Sequence, residues 1–245
     1  MTDLRIAVVC SSNMNRSMEA HHLLSKRGFR VRSFGSGTNV KLPGLAQDRP
    51  NVYDFSTPYE VILRDLTRLD EPFYTQNGIL NMLDRNRRIK IRPERFQDYF
   101  TEILAKRSRP SAQDNNVDVI AQENKDIDKF DIIFTCEERV YDQVVEDLEK
   151  RNWDWSGSAN NSKKGELKGK DVQLEENYTN SYEPVHVVNI DITDNQEEAT
   201  LGAFLFCEIC ELMRESEDLD NDIDEILTEV EHSSDRTILH TLCFY

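Results

Sequence analysis

The sequence predicts an α/β fold, a doubly wound and mostly parallel sheet with helices on its flanks, plus a smaller helical subregion beside it. Three observations carry this. Apolar runs at Arg5–Cys10, 31–34, 130–135 and 185–190 show little alternation and read as strands buried on both faces. Helical patterns at 17–27, 137–151 and 197–215 follow the first, third and fourth of these runs. Cys10 and Asp191 then fall at strand carboxyl ends, where doubly wound sheets bind their ligands.

Each element has its own local reason. The first helix stops at Gly28, a plausible C-cap. Val40, Lys41, Leu42, Pro43 and Gly44, then Arg49, Pro50 and Asn51, carry turn chemistry. Residues 59–69 and 77–85 read as two short helices forming a lid or flank, a place for substrate specificity. Val140, Val144, Val145 and Leu148 form one stripe on the helix at 137–151. Two stretches look inserted, at about 100–128 and 152–183; the second is polar and rich in Gly, Ser, Asn and Lys, and its composition favours disorder. The acidic run 215–224 reads as a solvated helix start leading into 223–227. A last apolar run, 237–245, is an edge strand or a docking tail.

Length and charge narrow the function. The chain has 245 residues, read as a single domain, 1–245, carrying the two insertions. Its net charge of −16 argues against direct nucleic-acid binding, which needs clustered cations. No apolar run approaches the ~20 residues of a membrane span, and the N-terminus enters a strand without a signal peptide. Cys243, third from the end, does not make a prenylation box. Five scattered cysteines fit reduced cytosolic or nuclear thiols. Cys207 and Cys210 have C-x-x-C spacing, yet sit on an apolar helical stripe without a second ligand pair, so they read as packing residues.

The first strand-to-helix turn carries the chemistry. Cys10 is followed by Ser11, Ser12, Asn13, Met14 and Asn15, then Arg16 and Ser17 at the start of the helix. A strand, a tight polar loop and a helix start make a cradle of backbone N–H groups for an anion. A thiolate at one lip attacks phosphorus, and a guanidinium at the other clamps two phosphate oxygens. A helix N-terminus and a nearby cation favour the thiolate of a residue that ionises alone at about pH 8.5. Ser17 is placed to hydrogen-bond the sulfur, and Asn13 to brace the loop. A lone cysteine at a strand end is more often simply buried; here strand, spacing, Ser17 and helix agree on a phosphate loop.

A cysteine phosphatase also needs a general acid for the leaving alkoxide. Asp191, just past the fourth strand, shares the rim with Cys10, and Asp194 is the runner-up. Helix capping near Gln196 fits Asp194 better than Asp191. His21, His22 and His186 read as surface or packing residues, and no His or carboxylate cluster suggests a metal or other cofactor. The basic segment 85–95 is either a site for a phosphorylated or acidic partner or a solvated face balancing nearby carboxylates.

Residues 8–21 closely resemble the RNA polymerase II C-terminal-domain phosphatases, eukaryotic relatives of the low-molecular-weight tyrosine phosphatases. Residues 40–44, 49–53, 74–78, 82–86, 135–142, 185–191 and 239–245 match as well, so the likeness spans nearly the whole chain outside the two insertions. The resemblance implies a low-molecular-weight-phosphatase-like fold. It also implies a nuclear enzyme acting on phosphoserine at the fifth heptad position, and also the seventh, through a phosphocysteine. It implies a preference for a following cis proline, a minor population even at X–Pro bonds, and no cofactor. It places the substrate groove at Lys41 and Pro43 on one side and Tyr74, Ile79 and Met82 on the other, and the general acid at Asp191. The implied partners are the phosphorylated polymerase C-terminal domain and a symplekin-like scaffold of mRNA 3′-end processing. The insertions depart from the family pattern and touch the partner surface more than the chemistry.

Three other readings stand beside this one. A low-molecular-weight tyrosine phosphatase usually carries a second loop Cys and an Asp-Pro acid motif, which this chain lacks. Arsenate reduction needs further reactive thiols, for which Cys136 is the single conceivable helper. A non-catalytic phosphopeptide reader in 3′-end processing sits poorly with an intact set of Cys10, Arg16 and Asp191.

Overall fold

The computed structural model describes residues 4–46, 48–99, 129–161 and 183–245. Among these, five strands form one sheet: β1 is Arg5–Cys10, β2 Arg30–Gly35, β5 Ile132–Thr135, β6 Pro184–Ile190 and β7 Ile238–Phe244. Their order across the sheet is β2-β1-β5-β6-β7. The first four are mutually parallel, and β7 closes the edge antiparallel to β6. The run at 237–245 is therefore an edge strand. Insertion 100–128 and residues 162–182 of the second insertion lie outside the described residues.

Both faces of the sheet are buried, as the lack of alternation requires. On one face Ile6, Val8 and Cys10 pack with Phe134, Phe206, Cys207 and Cys210. This layer joins α1 (Arg16–Lys26), α5 (Gln196–Glu215) and α6 (Leu219–Ser234) to the sheet. On the other face Ala7, Val9 and Ile133 meet Val140, Val144 and Leu148 of α4 (Glu138–Asn161). Burial pushes the Cys207 thiol up to about 11 and that of Cys210 well above its ordinary value. Both stay neutral and serve as packing groups.

Helix α4 runs past Arg151 to Asn161, so the start of the stretch read as an inserted loop is helical. The turn-rich segment at 40–53 also differs from expectation. It is an antiparallel hairpin, β3 (Val40–Ala46) and β4 (Arg49–Tyr53), whose register shifts between Leu42 and Ala46. Pro43 and Gly44 sit in that irregular stretch, where a missing ladder N–H costs least.

Helices α2 (Tyr59–Gln76) and α3 (Ile79–Ile89) pack with the hairpin and with Met14 and Met18 into a third cluster. Helix α2 kinks at Asp70, whose φ and ψ of −165° and 87° leave the helical region. Asp70 Oδ1 accepts from Phe73 N at 3.0 Å, so it caps the second half of α2, and Pro72 falls in that half's first turn, where no N–H is needed. Gly78, at φ 79°, opens α3 in the left-handed region, and a Cβ there would meet the Gln196 side chain at 2.0 Å.

Pairing of Cys10 with Gly35, Val9 with Thr135 and Thr135 with Asn189 brings the carboxyl ends of four strands to one rim. Chain order reverses between β1 and β5, which makes that crevice the topological switch point of the sheet.

Candidate active site

The loop from Cys10 to Asn15 is held by its carbonyls. Ser36 N donates to Cys10 O and Gly37 N to Ser11 O, both at 2.9 Å. Tyr59 Oη donates to Asn13 O at 2.7 Å, and Asn86 Nδ2 to Met14 O at 2.7 Å. A trans peptide points its N–H opposite its C=O. The N–H groups of Ser11, Ser12, Met14 and Asn15 therefore turn away from these anchors, toward the loop's interior. Asn13 supplies the bend with φ 54°, a conformation Asn tolerates better than most residues. This orientation is the one an anion nest requires.

Cys10 is buried at the end of β1, with its Sγ 3.1 Å from Ser17 Oγ. Asn13 Nδ2 donates to the same Ser17 Oγ at 3.0 Å. Ser17 Oγ thus receives one hydrogen bond from Asn13 and keeps its own proton available for the sulfur. Asn13 is fixed in turn by Glu94 N, which donates to its Oδ1 at 3.0 Å.

Arg16 is also buried. Its Nη1 donates to Cys136 O at 3.2 Å and Ile192 O at 3.0 Å, and its Nη2 reaches Glu137 Oε2 at 2.8 Å and Ser11 Oγ at 3.4 Å. Its Nε has no hydrogen-bond partner. Burial alone disfavours the guanidinium charge, but Cys10, Asp194, Cys136 and Glu137 outweigh it and raise its pKa. The fork is pinned in orientation with a donor in reserve.

The two candidate acids have different surroundings. Asp191 Oδ1 accepts from Glu138 N at 2.9 Å and from Asn189 Nδ2 at 3.0 Å, so it caps the first turn of α4. Past it, Ile192 N donates to Cys136 O at 3.0 Å and the chain folds back over the loop. That turn puts Asp194 Oδ1 3.0 Å from Asn15 Nδ2 and 3.6 Å from Arg16 Nε, with the side chain 58% exposed. Capping of α5 falls to Asn195, which accepts from Glu198 N at 2.8 Å, not to Asp194. The carboxylate at the loop is Asp194.

The five residues read as a groove meet at the junction of hairpin and helices. Asn51 Nδ2 donates to both Pro43 O and Tyr74 Oη at 2.8 Å, tying β3 to α2. Lys41 and Pro43 are exposed, and Lys41 N donates to Ser12 Oγ at 3.2 Å. Tyr74, Ile79 and Met82 are buried in the third cluster, so they back the groove more than they line it.

The basic segment is paired with nearby carboxylates, with Arg85 and Lys90 largely buried and not solvated. Arg85 pairs with Glu19, Arg87 with Glu60 and Asp84, Arg88 with Asp84, Lys90 with Glu94, and Arg95 with Asp98. His186 lies at the far end of the sheet, 3.0 Å from both His240 Nε2 and Asp220 Oδ1. Sequence reasoning missed Tyr59 and Asn86 as loop anchors. Burial singles out Asn86 among the charged residues of α3, and burial is not written in the sequence.

The family model described as Ssu72-like protein matches residues 4–245. The human RNA polymerase II C-terminal domain phosphatase SSU72 is 54% identical over 242 residues, covering 99% of this chain and 97% of that protein. The zebrafish protein of the same name is 51% identical over the same span and coverage. Among solved structures, the Drosophila melanogaster serine phosphatase of the RNA polymerase II CTD superposes with a TM-score of 0.72 at 47% identity, covering 99% of this chain and 100% of that one. A second is D. melanogaster Ssu72 with symplekin, bound to a cis peptidomimetic CTD peptide phosphorylated on the fifth-position serine. It has a TM-score of 0.72 at 44% identity, with full coverage of both chains. The Cys10–Arg16 turn at the switch point of this sheet and a family match over nearly the whole length lead to one conclusion: the chain belongs to the Ssu72 family.

Proposed function

We propose that this chain is a cysteine-dependent protein-serine phosphatase of the RNA polymerase II C-terminal domain, working in the nucleus in transcription and mRNA 3′-end processing with a symplekin-like scaffold. The observation that carries the chemistry is the convergence of the Cys10 sulfur, its Ser17 donor, the inward N–H groups and the reserve Nε of Arg16 on one loop. The heptad substrate and the scaffold are supported by the relatives' names and by the Drosophila complex with symplekin and a peptide phosphorylated on the fifth-position serine. The chain is read as one phosphatase domain with two inserted stretches.

The Cys10 thiolate attacks phosphorus in line, forming the S–P bond as the P–O bond to serine breaks. Loop N–H groups and Arg16 hold the equatorial oxygens, whose charge they match in the transition state. Asp194, carrying the proton, gives it to the departing serine oxygen and later takes one from the water that cleaves the phosphocysteine, releasing phosphate. Asp194 rather than Asp191 is assigned this role because its carboxylate borders Arg16 and Asn15. The preference for a following cis proline is supported by the Drosophila complex with a cis peptidomimetic peptide.

The test is phosphate release from heptad peptides phosphorylated singly at each position, with and without a prolyl isomerase. Fastest release from the fifth-position peptide, further accelerated by the isomerase when cis is depleted, is the expected result. Release from phosphotyrosine alone overturns the assignment.

A further inference from the structure

One buried nucleophile beside the active site takes no part in the chemistry above. Cys136 follows β5, whose last ladder pairs with β1 are Val8 with Phe134 and Val9 with Thr135. The next step of that register sets Cys136 opposite Cys10. Side chains alternate between faces along a strand, so Cys10 shares the face of Ile6 and Val8, and Cys136 that of Ile132 and Phe134. All six residues pack in one cluster, with Ala20 of α1 and Ala203 and Phe206 of α5. Adjacent strands lie about 4.8 Å apart, within the Cα separation of about 4.4–6.8 Å that a disulfide bridges. The Cys136 carbonyl also holds Arg16 Nη1 at 3.2 Å, which anchors the residue beside the loop.

Electrostatics point to the same pair. Burial, then the charge of Cys10, holds the Cys136 thiol well above its ordinary range; Arg16 opposes them, and Asp194 and Glu137 add to the rise. None of the other three cysteines feels Cys10 in this way. Cys207 and Cys210 respond to burial and to charges along α5 and α1, and Cys243 to burial and Glu149. All five cysteines are free thiols. While Cys10 is a thiolate, its charge keeps Cys136 protonated and inert. Oxidation of Cys10 to a neutral sulfenic acid removes that charge and leaves Arg16, which favours the Cys136 thiolate.

We propose that Cys136 is a resolving thiol, which captures oxidised Cys10 as a Cys10–Cys136 disulfide and makes the enzyme reversibly sensitive to peroxide. The inference rests on the Cys10 nucleophile of the function proposed above. Hydrogen peroxide is the oxidant: the Cys10 thiolate attacks one oxygen, the O–O bond breaks, and Cys10 sulfenic acid and hydroxide form. The Cys136 sulfur then attacks the Cys10 sulfur, the S–O bond breaks, and the thiol proton leaves with the hydroxyl as water. The bridge stops turnover and shields Cys10 from the irreversible sulfinic and sulfonic acids. A dithiol reverses it by exchange and is itself oxidised to a disulfide as both cysteines return to thiols.

The experiment treats the full chain with hydrogen peroxide, blocks free thiols with iodoacetamide and maps the peptides by mass spectrometry without reduction. Turnover of p-nitrophenyl phosphate is read before treatment, after it, and after dithiothreitol. The natural enzyme is expected to yield a peptide joining Cys10 to Cys136, to lose its turnover, and to regain nearly all of it with dithiothreitol. Cys136→Ala, scored against its own untreated rate, loses turnover to peroxide as well but regains little, with Cys10 found as sulfinic or sulfonic acid. Cys10 over-oxidised without a bridge in the natural enzyme, or bridged to Cys207, Cys210, Cys243 or a second chain, overturns the inference; so does equal recovery in the two proteins. If the untreated natural enzyme does not turn over p-nitrophenyl phosphate, the phosphatase reading falls, while the peptide map still decides whether the bridge forms.

Discussion

Asp191 and Asp194 stand three residues apart, and the structure gives them different work. One carboxylate is committed to Glu138 N and Asn189 Nδ2, the other borders the guanidinium of Arg16. Asp194→Asn is expected to lower kcat on phosphopeptides by about 100- to 10,000-fold, the span of a lost general acid. Asp191→Asn keeps an oxygen for capping and turns over near the natural rate; a larger loss there than at position 194, in steady-state kinetics, would return the acid to Asp191. Cys10, Arg16 and Ser17 were legible in the sequence because one strand, one turn and one helix start fix their relation. Which carboxylate borders the loop was not, because a turn outside regular structure decides it. Neither side-chain period nor capping preference encodes that turn.

Among the elements, helix α2 shows how a break can be both functional and stable. Asp70 leaves the helical region, caps Phe73 N and lets Pro72 begin the second half. That break turns the chain so that Tyr74 reaches Asn51 on the hairpin and Ile79 and Met82 pack near the loop's Met14. Asp70→Ala is expected to cost about 1 kcal/mol of stability in urea unfolding, and Asp70→Ser to recover most of it. Equal loss in both variants would mean the cap contributes nothing. The helix read over 59–69 stops where Asp70 leaves the helical region; its second half, to Gln76, was not read from the sequence. The hairpin at 40–53 was hidden by the same turn residues that shape its irregular register. Strand character there comes from pairing with a neighbour, and local composition opposes it.

At the scale of the whole molecule, the alternation of buried strands and amphipathic helices made the sheet legible before any coordinate. Where the sheet closes, at antiparallel β7, depends on pairing with β6 instead. The packing of α1 on the sheet also sets a pH response. His21, between α1 and β2, has its Nδ1 2.9 Å from Ser33 Oγ. Burial, then the Lys90 charge, pushes its pKa down from 6.5 to about 4, with Glu94 opposing. Between those values the unfolded chain binds a proton that the folded chain refuses. Stability from this site is therefore full above the unfolded value of 6.5 and is lost as pH falls toward about 4. Urea midpoints measured across that window should decline less steeply in His21→Gln than in the natural protein; parallel declines would remove His21 as a cause.

The proposed chemistry turns on a covalent phosphoryl group at Cys10. The direct measurement is intact-protein and peptide mass spectrometry after rapid acid quench of Asp194→Asn mixed with the fifth-position phosphopeptide. The expected result is one added phosphoryl group on the peptide containing Cys10, absent in Cys10→Ser. Continued turnover with no such adduct, or an adduct on a different residue, would contradict the account.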